Sequence, residues 1–248
     1  MDTVIQTAYS VPKTTKRVVT AHRKTALFAG IFYLLTFVSI PTLSLYQSVH
    51  QPNYLIEGGS DSAVILGGLL EIIVALSGIA TAVILFPVLK KQHEGMALGL
   101  VVARVLEAGT MFVGVAFLLA IVSLKQAGAG ANALIASHTL VSLYDRIFLL
   151  GQGFIPGIND LLLGFLLYKS RLVPRVLSII GMVGALPLFA GYFAIMFGIT
   201  DRISTLAGLS AAMVAVFEFS LGVYLVAKGF RTTPRLADKR TYQNNYSK

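Results

Sequence analysis

The run from His138 to Lys169, HTLVSLYDRIFLLGQGFIPGINDLLLGFLLYK, is apolar enough to enter a bilayer, yet it carries a polar residue at every seventh position. Those residues are His138, Asp145, Gln152 and Asn159; Arg146, Gly153 and Asp160 follow one place behind the last three. A seven-residue step along a 3.6-residue helix returns to nearly the same face, drifting by about 20°. A straight helix therefore lines the four up as a stripe roughly 31 Å long, about one hydrocarbon core. Pro156 and Gly157 lie in its lower half, where a kink or break is expected. A soluble fold has no use for such an element, so the chain is read as spanning a membrane with a polar interior.

The bulk composition agrees. Of 248 residues 56% are hydrophobic and 12% charged, about half the charge of an ordinary soluble domain. Cysteine is absent, which excludes disulfides, thiolate metal sites and a cysteine nucleophile. The net charge of +9 suggests nucleic acid in a soluble protein. Here topology accounts for most of the basic residues, and no nucleic-acid partner is expected. No signal peptide is read at the N-terminus, because the first apolar run starts late and is too long for one.

Six spans are expected, at about 25–49, 62–89, 96–124, 147–168, 176–199 and 204–227. Together they form one transmembrane domain over 25–227, between a basic N-terminal segment (1–24) and a basic, flexible tail (228–248). Residues 132–146 read as an outer extension or interfacial helix leading into the fourth span. A G-x-x-x-G at Gly95 and Gly99 opens the third span and suits close helix approach. A shift of 111 residues sets Glu107 on Glu218 and the second span on the fifth, a three-plus-three pattern with slight residue identity.

Orientation follows from the lysines and arginines. Sixteen flank one side: five in the N-terminal segment, two at Lys90-Lys91, three around Lys169 and six in the tail. The other side receives only Lys125 and Arg202, with Arg104 and Arg146 inside apolar segments. By the positive-inside rule both termini are cytoplasmic and the protein is multi-pass in the cell membrane.

Seven ionisable residues fall inside the apolar segments. Each costs a few kcal/mol at the bilayer centre, so they are expected to face the bundle interior and find partners there. Arg104 and Glu107, three apart, share a helix face. Asp160, Glu107 and Glu218 all lie roughly 12–20 Å from the cytoplasmic end of their spans. They define an inner layer with Arg104, joined by Gln152 and Asn159. Glu71, Asp145, Arg146 and His138 form an outer layer. Five acids face two arginines, so some of the acids carry protons unless further cations enter.

Other chemistries fit poorly. Haem needs paired axial histidines within the bundle, and only His138 lies near a span. A retinal-type Schiff base needs a mid-span lysine, which is missing before Lys228. Asp145 and Asp160 sit on one element roughly 22 Å apart if helical, too far for an aspartyl-protease pair. The four histidines are scattered, so neither a metal nor another cofactor is expected. No catalytic motif is recognised.

Three segments resemble a known family: ARVLEAG (103–109), LYDRIFLLGQGFIPGINDLLLGFLLYKSRLVPRVLSIIGMVGALPL (143–188) and FEFSLGVYLVAKGF (217–230). They are similar to the bacterial membrane proteins known as domain of unknown function 4386, over about Lys24 to Arg231. The resemblance implies a single-domain protein of the bacterial cytoplasmic membrane and transfers no activity or site residue.

The expected fold is an all-α polytopic integral membrane helix bundle. Its expected role is proton-linked binding or transport of a small polar or ionic solute, with the lipid bilayer as its surroundings. The alternative is a structural, sensory or accessory membrane protein whose charges only fix helix packing. A membrane enzyme ranks third.

Overall fold

A computed structural model describes residues 13–231, with side chains from residue 22 onward. Residues 1–12 of the N-terminal segment named above, and the tail beyond residue 231, lie outside the described residues. Among the described residues the secondary structure is helical, with no strand. Six helices are long and apolar enough to cross a membrane: His22–Leu45, Asp61–Leu89, Glu94–Gln126, Gly130–Ser170, Arg175–Met196 and Thr205–Ala227. A helix satisfies its own backbone groups, the condition for crossing hydrocarbon.

Local chemistry sets several of the ends. Ser60 and Ser204 cap the second and sixth spans, their hydroxyls accepting from the Ala63 and Ala207 N–H at 3.1 Å. His93 Nδ1 accepts from the Met96 N–H at the start of the third span. Arg171 closes the fourth span in the left-handed region (φ 57°).

Each span packs on the next in chain order, and the first closes onto the sixth. The last closure is tight because Gly30 lies against the Gly222 carbonyl, where a Cβ would stand 2.7 Å from that oxygen. The first and last described residues therefore lie at one end of the bundle: the Arg23 guanidinium donates to the Leu225 carbonyl at 2.9 Å, and the Arg231 N–H to the Leu172 carbonyl at 2.8 Å. Beyond Leu35 the first span tightens into a 3₁₀ turn, Thr36–Ser39, and turns onto the second span. There the Tyr46 ring occupies the space left by Gly67.

The outward surface is apolar: Leu43, Val176, Leu186 and Leu209 are each more than 60% exposed. In water this is a liability, whereas against lipid tails it is the solvent-matched face. Inside, one apolar cluster fills the end nearest Arg23 and Arg231 (Leu85, Leu100, Leu163, Phe217, Leu225). A second fills the opposite end (Tyr46, Tyr54, Leu118, Ile121, Tyr144). The polar residues lie between the two.

The fourth span departs from the expected straight stripe. Its helical run covers 41 residues, Gly130–Ser170, so residues 132–146 are continuous with the helix that follows. The segment Leu134–Phe148 packs on the third span, itself 33 residues long. Between it and Ile155–Ser170 lies a π-helical turn, Leu149–Phe154. A π turn holds more residues than an α turn and breaks the seven-residue phase. Pro156 comes in the first turn of the next α segment, where a missing N–H costs least.

Candidate functional site

Arg104 is the hub of the polar core. It is 4% exposed, and its two terminal nitrogens reach different helices. Nη1 donates to Glu107 Oε2 at 3.0 Å within the third span. Nη2 donates to Glu218 Oε1 at 2.5 Å on the sixth. Nη2 also lies 3.5 Å from the Tyr33 hydroxyl on the first span, with the guanidinium 5.7 Å from that ring. Gly78 on the second span leaves room for it: a Cβ there would stand 3.7 Å from Arg104 Cδ.

The fourth span completes the core. Asn159, fully buried, donates from Nδ2 to Glu107 Oε2 at 2.8 Å. Asp160 is also fully buried and lies within electrostatic range of Glu218, Arg104 and Glu107. Neither of its carboxyl oxygens has a hydrogen-bond partner among the described residues. A buried polar atom without a partner carries its whole desolvation cost, so the exception calls for a role. The formal inventory is one guanidinium against three carboxyls.

Beside this core lies a cavity of about 260 Å³ to which all six spans contribute. Arg104, Glu107, Glu218 and Gln152 supply its polar wall. Phe37, Met111, Phe148, Leu188 and Tyr192 supply apolar and aromatic surface. The π turn places Gln152 on the cavity while Asn159 faces Glu107. Gly153 and Gly157 lie against the Tyr192 and Phe189 rings of the fifth span.

The outer residues separate into different surroundings. Glu71 is 2% exposed and accepts from the Tyr144 hydroxyl at 3.0 Å, with the Tyr46 hydroxyl close to the same carboxylate. Asp145 pairs with Arg202 at 3.1 Å and His50 at 3.3 Å. Arg146, expected beside Asp145, is exposed, because neighbouring helix residues diverge by about 100° and cannot share a partner. His138 is exposed too, one ring nitrogen 2.9 Å from the Pro52 carbonyl. The stripe is thus divided: its outer end belongs to a surface network, its inner end to the core.

Tyr33, Tyr144, His50 and Arg202 were not among the expected site residues. Arg202, in a loop, draws attention in the sequence as one of only two basic residues outside the spans on its side. Its guanidinium lies 4.5 Å from the Phe148 ring and 5.4 Å from that of Tyr144, linking the loop to the Glu71 pocket. Tyr33 carries no such signal within an apolar span.

Neither the curated proteins nor the solved structures include a match to the chain. A family match covers residues 28–229, which holds most of the first span, the other five in full and every core residue described above. The helical bundle and that match together place the chain in the family described as Domain of unknown function (DUF4386).

Proposed function

We propose that this multi-pass membrane protein binds, and moves in exchange for protons, a small polar or ionic solute at the Arg104–Glu107–Glu218 wall. The supporting observation is Asp160: a fully buried carboxyl with neither oxygen hydrogen-bonded among the described residues, beside a guanidinium already shared by two other acids. A residue used only as a structural tie would be placed where its oxygens find donors. Asp160 is instead suited to hold a proton and release it when the charge beside it changes. Glu107 and Glu218 contact the solute, Arg104 sets their spacing, and the π turn is the element that yields. In this reading both termini face the cytoplasm, consistent with Arg23, Lys90, Lys169 and Arg231 lying toward the same end of the bundle, and the membrane is the bacterial cytoplasmic one.

A second reading rests on the same arginine. Its bonds tie the third span to the sixth, and Asn159 ties the fourth to the third, as in an accessory protein whose polar groups fix helix register. Infrared difference spectra between pH 5 and pH 8 separate the two. The proton-exchange reading expects a protonated-carboxyl band that changes with pH and is lost in Asp160→Asn. A spectrum identical in variant and wild type favours the accessory reading.

A further inference from the structure

The cavity's chemistry points to a solute class. We infer that the cavity receives a monovalent organic cation, an alkylated or aromatic ammonium; the inference rests on the proton-exchange reading and names the solute for the same site. One guanidinium stands among three carboxyls, so the formal charge of the core stays negative with any one of the acids neutral. The arginine bonds use Oε2 of Glu107 and Oε1 of Glu218. The second oxygen of each carboxyl makes no hydrogen bond with the described residues and remains free to accept one. Both side chains line the cavity.

An anion finds little here. Both terminal nitrogens of Arg104 are committed to carboxylates, and its Nε, which makes no hydrogen bond among the described residues, has no exposed surface for a ligand to reach. A bare inorganic cation is poorly served as well. Calcium and magnesium require about six to eight oxygen ligands around them, whereas the carboxylates form one wall and the others are largely apolar or aromatic. Phe37, Phe148 and Tyr192 suit a cation with a hydrocarbon body, through burial and through attraction of positive charge to ring faces. The volume, about 260 Å³, falls just below the usual range of ligand pockets and limits the site to a small solute. Ile40 and Ala215, both exposed on the outside of the bundle, also line the cavity. An amphipathic cation therefore meets an apolar rim on the lipid side before it reaches the acids.

The groups facing that charge are Tyr33 on the first span, Arg104 and Glu107 on the third, Asp160 on the fourth and Glu218 on the sixth. Purified protein in nanodiscs is titrated at pH 7.5 with benzyltrimethylammonium, with neutral benzyl alcohol and anionic benzenesulfonate as controls. Saturable binding of the cation alone is expected. Glu218→Gln removes the excess charge and is expected to weaken binding at least ten-fold. Ala211→Phe, which fills the cavity and leaves every ion pair in place, is expected to abolish binding in protein that unfolds at the wild-type temperature. No saturable cation binding, equal binding of the neutral or anionic probe, or unchanged affinity in Ala211→Phe overturns the inference. A pH-sensitive Asp160 band in a protein that binds no cation retires only the solute class. Cation binding with no such band retires the proton-exchange reading and leaves the cation site standing.

Discussion

Replacing Arg104 with glutamine tests whether the core is built on one shared charge. Arg104 is 4% exposed and bonds two carboxylates, at 3.0 Å and 2.5 Å. Removing one partner of a buried ion pair costs about 3–5 kcal/mol, because the other charge is left without compensation. Here two carboxylates lose their cation together. Each can escape by taking up a proton, at a cost of about 4 kcal/mol at pH 7.5 for a carboxyl of ordinary acidity. The expected loss at pH 7.5 is therefore about 4–6 kcal/mol, one or two proton uptakes less the relaxation the cavity allows. The sign of its pH dependence follows. In the variant the acids are neutral when folded and ionised when unfolded, so its stability rises as pH falls, by up to about 1.4 kcal/mol per unit for each acid. Arg104→Gln combined with Glu218→Gln should recover at least a third of the loss. Denaturant titrations in detergent at pH 5.5, 6.5 and 7.5, followed by far-ultraviolet circular dichroism, read these quantities. A variant within about 1 kcal/mol of wild type at pH 7.5, or a deficit constant across the pH range, refutes a shared buried charge.

Other perturbations probe the frame around the core. Gly30→Val places a Cβ 2.7 Å from the Gly222 carbonyl oxygen and should destabilise by about 1–3 kcal/mol, measured as a lower unfolding temperature. Tyr144→Phe removes a hydrogen bond to buried Glu71 and should cost about 1–3 kcal/mol, measured by denaturant titration. Arg202→Gln breaks a pair whose acid is 41% exposed, so its cost should stay within about 1 kcal/mol and shrink further at high salt.

The spans and the core were legible in the sequence to different degrees, for physical reasons. Apolar length is a local property, and the spans it locates agree with the long helices at most boundaries. Charges in hydrocarbon are costly, so Arg104, Glu107, Asp160 and Glu218 stood out singly, and equal depth put them at one level. Their connection through one guanidinium depends on which faces meet in three dimensions, which depth does not specify. The polar stripe shows the limit of periodicity: its arithmetic assumed a uniform 3.6-residue helix, and the π turn at Leu149–Phe154 shifts the phase between Asp145 and Asn159. Arg202 stood out by its charge alone, and its partners Asp145, Tyr144 and Phe148 lie far from it in sequence. Tyr33 became significant only once the first span was packed against the third and sixth.

The most direct test of proton exchange is the stability of Asp160→Asn against wild type from pH 5 to pH 8. Asparagine keeps the shape of the side chain and cannot ionise. A carboxyl stored neutral without partners makes the wild type less stable as pH rises, by up to about 1.4 kcal/mol per unit, because the unfolded chain releases that proton. The account predicts a variant at least as stable as wild type at pH 8 and free of that slope. A variant several kcal/mol less stable at every pH would contradict it and make Asp160 a structural tie.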